Sequence, residues 1–144
     1  MYRSMLILPV GISRYLCLFV LFLAITACSD VQKMDIEVVL DARNSAVSTG
    51  NINAYSSLLI PSYQNGGQSK SDVVSNMLGL FGQFEAMEMI TFGRTIRMLD
   101  DSHAQCEQTC HLRAKADNRW RKINQREQIL LTKTASGWQI SGGL

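Results

Sequence analysis

The chain of 144 residues contains very little proline and no repeated or low-complexity segment. Its two prolines are Pro9 and Pro61. The scarcity of proline and the absence of repeats exclude a proline-rich linker and a repeat array. They also argue against intrinsic disorder beyond a short tether.

A long, uncharged apolar run is also missing. Arg3 and Arg14 precede an uncharged apolar core at residues 15–27. A helix needs about 20 apolar residues to cross a bilayer core, so this core is too short to span a membrane. Positive charge, a short apolar core and small residues at its end are typical of a secretory signal.

The apolar core ends in an aliphatic residue, two small residues and a cysteine, Ile25-Thr26-Ala27-Cys28. These residues resemble a bacterial lipobox. The resemblance implies cleavage before Cys28 and a diacylglyceryl group on its sulfur, which would anchor the mature chain to a membrane. Ser29 favours the outer membrane, with the domain facing the periplasm. An ordinary cleaved signal and an uncleaved anchor over residues 5–27 are the alternatives.

We therefore expect a signal peptide at residues 1–27, a tether at 28–34 and one domain at 35–144. No charge of either sign dominates this mature part. All 12 acidic residues lie in it, and Arg3 and Arg14 fall in the leader, which leaves 12 basic residues. Six of the basic residues flank Trp120: Arg113, Lys115, Arg119, Arg121, Lys122 and Arg126.

This basic stretch has more than one interpretation. Basic residues around an aromatic residue are compatible with nucleic-acid binding. An exported protein is not expected to meet nucleic acid, so we predict no such partner. The ordinary interpretation is a solvated strand face, and contact with anionic lipid head groups or lipopolysaccharide phosphates is the alternative.

Hydrophobic periodicity predicts helices in the first half and strands in the second. Helical spacing predicts three helices. The first begins at Asp35 and ends at Gly50-Asn51, the second covers residues 52–59, and the third begins at a cap at residues 69–72 and continues through Phe84. The segment at residues 63–68 is expected to be a loop. Alternation predicts strands at 89–99, 103–116 and 119–134, with a last strand from Trp138. Helices followed by antiparallel strands are typical of an α+β fold.

The order of these elements resembles the nuclear transport factor 2-like superfamily, whose cystatin-like fold is shared with ketosteroid isomerase. The likeness rests on Gly50-Asn51 with Tyr55, the Pro61-Ser62-Tyr63 step and the closing residues 136–143. It implies a cone-shaped fold, in which N-terminal helices pack in a strongly curved antiparallel sheet around a pocket. It also implies a homodimer through the outer face of the sheet, as in many members.

The resemblance makes the pocket the first place to look for chemistry. Isomerases of this fold need a carboxylate base in the pocket, and hydrolytic relatives use an aspartate–arginine–aspartate set. Residues 63–68 contain no acid, and four possible participants match no catalytic motif: Asp41, Tyr55, Tyr63 and Arg97. We expect no catalytic residue and no cofactor.

The favoured function is non-catalytic binding of a small apolar ligand, or interaction with a protein. The expected pocket residues are aromatic: Tyr55, Tyr63, Phe81 and Phe84. An enzyme of the same fold, of isomerase or hydrolase type, and a structural envelope protein are the alternatives.

Cys106 and Cys110 have three interpretations. Export to an oxidising compartment favours a disulfide between them. On a straight strand, however, their Cα atoms would lie about 13 Å apart, whereas a disulfide needs about 7 Å or less. The bridge therefore requires a bulge or tight turn at residues 107–109. Buried free thiols are the second possibility, and zinc with His103 and His111 is the third, at a spacing unusual for that metal. We expect no metal.

Overall fold

The computed structural model describes the backbone of residues 11–144 and the side chains of residues 30–144. It divides into two compact units, Met1–Gln32 and Lys33–Leu144. Among the described residues, no helix is both long and apolar enough to cross a membrane. The predicted signal peptide and the side chain of Cys28 lie outside the part whose side chains are described.

Three helices open the described chain: α1 Gly11–Ser48, α2 Ile52–Ser57 and α3 Lys70–Gln83. The C-terminal end of α1 is the one predicted, since Gly50 follows it with φ +64°. The cap of α3 is also confirmed. The Ser69 hydroxyl accepts from the backbone of Asp72, and the Asp72 carboxylate accepts from the backbone of Ser69.

The strands are β1 Gln64–Asn65, β2 Gln68–Ser69, β3 Ala86–Met98, β4 His103–Ala116, β5 Arg119–Thr134 and β6 Gly137–Gly142. The last four form an antiparallel sheet in sequence order. The α+β fold class is confirmed. The expected loop at residues 63–68 instead contains the β1–β2 hairpin, whose turn residues Gly66 and Gly67 both have positive φ.

The sheet has an inner face that belongs to the core and an outer face turned away from it. On β4 and β5 the buried apolar side chains alternate with exposed ones, as in Cys106, Cys110, Ile129 and Leu131. Because side chains alternate along a strand, these residues define the inner face. Ile36, Leu40 and Val47 of α1 are fully buried in the same core.

A β-bulge interrupts β3 opposite the middle of β4. The register passes from Phe92 opposite Thr109 to Thr95 opposite Glu107. Gly93 and Arg94 therefore stand opposite the single residue Gln108, so β3 has one extra residue here. Gly93 has φ +64°, which glycine adopts without strain. The bulge changes the direction in which Arg94 leaves the strand.

Candidate functional site

A cleft of about 440 Å³ lies within the unit at residues 33–144, between α3 and the inner face of the sheet. Six apolar side chains line it: Val73, Met77, Leu80, Met89, Leu112 and Leu144. Eight polar residues also line it: Arg43, Tyr55, Gln68, Asn76, Gln125, Arg126, Glu127 and Gln128. The exposed surface of the cleft is nevertheless more apolar than polar, with polar groups at fixed positions.

An ion pair between Arg43 of α1 and Glu127 of β5 forms one wall of the cleft. Arg43 Nη1 donates to Glu127 Oε2 at 2.9 Å, and Nη2 donates to Oε1 at 2.8 Å. The side chains are 5% and 4% exposed. This two-point geometry fixes the orientation of both groups as well as joining their charges.

The Glu127 carboxylate accepts two further hydrogen bonds. Gln108 Nε2 donates to Oε2 at 3.0 Å, and Gln125 Nε2 donates to Oε1 at 3.1 Å. Burial alone would raise the pKa of Glu127, but the hydrogen bonds and charge of Arg43, with the two amides, hold it below its ordinary value. Burial would lower the pKa of Arg43, yet Glu127 raises it. Both groups are therefore charged in the folded state.

The bulge residue Arg94 extends this network toward the surface. Its Nε donates to Gln108 Oε1 at 3.1 Å, and its Nη2 donates to Asp41 Oδ1 at 2.9 Å. Asp41 is exposed, as expected from its position on the helix. A continuous chain of hydrogen bonds thus joins α1 to three strands of the sheet.

Tyr55 of α2 lies in the cleft beside Arg43. Burial raises the pKa of its hydroxyl, although the nearby guanidinium opposes the shift. Tyr55 is therefore a neutral hydroxyl at physiological pH. Arg43 also has a buried Nε–H that meets no partner among the described residues. The Tyr55 hydroxyl is therefore the donor at the cleft, whereas the Arg43 Nε–H is enclosed.

The four expected pocket residues do not share one pocket. Tyr55 lines the cleft, whereas Phe81 and Phe84 line a separate groove of about 210 Å³ between the end of α1 and the start of β3. Tyr63 is buried, and its hydroxyl donates to the Leu144 carbonyl and accepts from the Leu144 N–H. Burial raises the pKa of Tyr63. Its place in the structure is that of a packing residue that holds the final segment.

The other notional catalytic residues are equally dispersed. Asp41 is paired with Arg94. Arg97 is exposed and donates to Gln105 Oε1 at 3.0 Å, on the outer face of the sheet. Asp41, Arg97 and Tyr55 therefore do not converge on one point.

Cys106 and Cys110 are free and buried, so the expected disulfide is absent from the structure. The reason is that β4 runs straight through residues 103–116, with the bulge on β3 instead. Burial raises the pKa of each thiol to about 11. A shared zinc ion is also incompatible with this geometry, because His103 and His111 lie on the opposite, exposed face. Within the described residues no cluster of three or more metal ligands occurs.

Most of the basic stretch is exposed, Arg113 and Lys115 are half-buried, and part of the stretch is paired. Arg113 contacts Glu88 and stacks over Trp120 at 4.7 Å, and Lys115 lies 3.5 Å from Glu85. Arg126 lies 3.9 Å from a Glu107 oxygen. Three members make no ion pair among the described residues: Arg119, Arg121 and Lys122.

The residues that form the polar wall, Arg43, Gln108 and Glu127, are not among those predicted from the sequence. A signal was present for two of them. Gln108 alternates with Cys106 and Cys110, and Glu127 alternates with Ile129, so both fall on the inner face. Polar residues on a buried face need partners, which marks them as members of a network.

No protein-family profile and no curated protein matches the chain. Solved structures do. A candidate scytalone dehydratase from Novosphingobium aromaticivorans superposes with a TM-score of 0.72 at 10% identity, over 82% of this chain and 85% of that one. A candidate dehydratase of the nuclear transport factor 2-like family from Streptomyces avermitilis gives 0.70 at 13% identity, over 80% and 94%.

A nuclear transport factor 2-like protein with a cystatin-like fold, also from N. aromaticivorans, gives a TM-score of 0.68 at 11% identity, over 84% of each chain. Identities this low carry information about the fold alone. The helices followed by a curved four-stranded antiparallel sheet are those of this group. The chain has the nuclear transport factor 2-like fold, as its sequence predicts.

Proposed function

We propose that the domain binds a small, neutral and largely apolar molecule in the cleft, without catalysing a reaction on it. The observation that carries the proposal is the state of Glu127. It is the cleft's carboxylate side chain, and it already accepts four hydrogen bonds from Arg43, Gln108 and Gln125.

A general base needs a free lone pair and a pKa near the working pH. Glu127 offers neither, because its oxygens are engaged and its pKa is held below the ordinary value. Protonation of Glu127 would also break the charge pairing with Arg43. This environment suits a fixed structural anion rather than a proton acceptor.

The lining favours a particular ligand chemistry. A volume of about 440 Å³ falls in the range of small-molecule sites. The charge of Arg43 is compensated by Glu127, so a charged ligand would gain little from it. The hydroxyl of Tyr55 suits a carbonyl or hydroxyl oxygen on an otherwise apolar molecule.

The test is native mass spectrometry of residues 28–144 carrying Cys28→Ala. This protein is expressed behind a cleavable, non-lipoprotein export signal in a bacterial host and is purified without detergent. We expect a co-purifying apolar molecule that is released on denaturation. Met77→Trp should exclude it, because Met77 lines the cleft and the added indole would fill it.

Leu78→Trp is the matched control, since Leu78 is the next residue of α3 and is 54% exposed. Equal ligand occupancy in both variants, or an empty wild-type cleft that takes up no compound from an apolar library, would refute the proposal.

An enzyme of the same fold is the second candidate, and it is favoured by the dehydratases among the structural neighbours. Under this alternative, Tyr55 would be the polar group that acts on the substrate. Tyr55→Phe would then abolish turnover of a hydroxylated aromatic substrate while the protein stays folded. A binding domain would show altered ligand affinity and no turnover to lose.

We further propose that the domain is held at the bacterial cell envelope by a lipid on Cys28, at the outer membrane and facing the periplasm. The lipobox-like residues before Cys28 support this proposal. Cys28→Ala should move the protein from the membrane fraction to the soluble fraction. A variant that still sediments with membranes, although mass spectrometry shows residues 1–27 to be removed, would contradict the lipid anchor.

A homodimer through the outer face of the sheet is the remaining proposal. Exposed apolar residues on that face support it, since Ile90 is 62% and Phe92 is 48% exposed. Phe92→Glu should convert a dimer to a monomer in analytical ultracentrifugation. A wild-type protein that is already monomeric at high concentration would argue against it.

A further inference from the structure

We propose that the free edge of β5 binds an extended acidic peptide as an additional strand of the sheet. The edge borders the cleft at Gln125 and Arg126, but the proposal does not depend on a ligand in the cleft. The proposal starts from the pairing of the strands. β6 pairs with β5 only from Leu130 onward, and no other strand among residues 11–144 pairs with residues 119–128 on that side.

One backbone hydrogen bond fixes which groups face this edge. Lys133 N–H donates to the Ser102 carbonyl at 2.8 Å, toward the β4 side. The β4–β5 register contains no shift from residue 132 back to residue 119. Because backbone groups alternate in direction along a strand, the odd-numbered residues face β4. The N–H and C=O groups of four residues therefore point outward: Trp120, Lys122, Asn124 and Arg126.

The opposite edge of the sheet, formed by β3, is covered by α1. The Met89 N–H of β3 donates to Ser48 Oγ of α1 at 2.9 Å, and Asn44 of α1 donates to Thr91 Oγ1 at 2.8 Å. The bulge at Gly93 further interrupts that edge. Bulges, covering helices and charged edge side chains are the usual means by which proteins block strand addition. Residues 120–126 of β5 have only the charges, which disfavour a second cationic strand and leave the backbone open to an acidic one.

The charge of the open edge selects the partner. Lys122 and Arg126 extend on the outer face and Arg121 on the inner face, and all three are exposed. A second copy of this chain paired through the same edge would place its own cations against these, which is unfavourable. An acidic strand would instead form cross-strand pairs of opposite charge.

The pattern of side chains further defines the peptide. A strand added to β5 would place alternate side chains on the outer face, beside Lys122 and Arg126. Its other side chains would lie on the inner face, beside Ile123, which is 55% exposed. The matching sequence therefore alternates acidic and aliphatic residues. Backbone pairing supplies affinity in such complexes, and alternate side chains supply specificity.

The test uses the full chain, purified in a mild detergent, and a blocked seven-residue peptide that alternates glutamate with isoleucine or valine. Titration calorimetry should show binding that weakens as salt is raised from about 0.05 to 0.5 M, because screening shortens the range of the charges. A peptide of the same composition, with its acidic and aliphatic residues in separate blocks, is the peptide control and should bind at least about tenfold more weakly.

Variants distinguish the contribution of backbone hydrogen bonds to peptide binding from that of the charged side chains. Asn124→Pro removes an outward N–H without touching the β4 ladder, and it should weaken binding about tenfold or more. Asn124→Ala keeps the N–H and should bind normally. Lys122→Gln with Arg126→Gln should reduce both affinity and salt dependence, whereas Lys133→Gln, in the paired part of β5, should not.

Amide hydrogen exchange followed by NMR gives a readout that remains valid if Asn124→Pro does not fold. In the free protein, the amides of Lys122 and Asn124 should exchange quickly and those of Arg121 and Ile123 slowly. Addition of the peptide should slow the first pair.

Three results would overturn the proposal. The first is slow exchange of Lys122 and Asn124 in the free protein, which would mean that the edge is already covered. The second is peptide binding that the proline variant leaves intact. The third is binding to vesicles of phosphatidylglycerol through the same cations with no peptide-induced protection, which would identify a membrane-contacting surface instead.

Discussion

Replacement of Arg43 by methionine should destabilise the protein severely. The variant would leave the Glu127 carboxylate buried, with its side chain 4% exposed, and without its two strongest hydrogen bonds. Loss of one partner from a buried ion pair costs about 3–5 kcal/mol. Domains of this size are commonly stable by about 5–15 kcal/mol, so Arg43→Met should remove a large part of the free energy of unfolding.

The second substitution tests whether the loss comes from the unpaired charge. Glu127→Gln removes the anion and keeps a side chain of nearly the same shape, which can still reach Gln108 and Gln125. The double variant contains neither charge. It should be more stable than Arg43→Met alone, and the coupling between the two positions should reach about 2–3 kcal/mol.

Urea unfolding followed by circular dichroism measures all three variants against Lys115→Met as the control. Lys115 lies 3.5 Å from Glu85, and both side chains are partly exposed, so its loss should cost about 0–1 kcal/mol. The dependence on urea should stay the same across the set if each variant exposes the same surface on unfolding. Equal stabilities for Arg43→Met and Lys115→Met, or strictly additive losses in the double variant, would refute the reasoning.

Three further predictions follow from the same interior. The pKa of Glu127 lies below its ordinary value of 4.5, so its contribution to stability is present above pH 4.5 and is lost as pH falls through the lowered pKa. Glu127→Gln should therefore make the free energy of unfolding less dependent on pH on the acid side. Burial raises the pKa of Cys106 and Cys110 to about 11, so both thiols should resist iodoacetamide in the folded protein at pH 8. Both should react once guanidinium has unfolded the protein without reductant, and a lack of reaction there would indicate a disulfide. Gly143→Ala should destabilise the protein more than Gly137→Ala. Both glycines have positive φ, but only at residue 143 would a Cβ lie 2.0 Å from a backbone carbonyl oxygen. Equal thermal unfolding midpoints would contradict this.

The fold could be predicted because its signals are local. The long strands at residues 103–116 and 119–134 have the bounds that alternation and turn residues indicate, and Ser69 with Asp72 caps α3 as expected. The β1–β2 hairpin was missed because strands of two residues are too short to show a period. Only its glycine pair, Gly66-Gly67, marks the turn.

The candidate site could be predicted only in part, because its defining contact is not local. Arg43 and Glu127 are 84 positions apart in the chain, and no periodicity connects a helix position with a strand position at that distance. Of the predicted pocket residues, Tyr55 lines the cleft, whereas Phe81 lines the other groove. Its position on α3 fits the apolar stripe, but the stripe faces two separate cavities.

The distribution of charge suggests that the cleft and the edge of β5 select different partners. Inside the fold, the cation of Arg43 is matched by Glu127, and that of Arg94 is matched by Asp41. A ligand in the cleft therefore meets a compensated wall, against which a neutral molecule loses least on leaving water. Arg119, Arg121 and Lys122, which have no close acidic partner among the described residues, lie together on the exposed part of β5. These cations would attract an anionic partner to the edge of β5, where the backbone is also free to pair. The preference of the cleft for neutral molecules would remain unchanged.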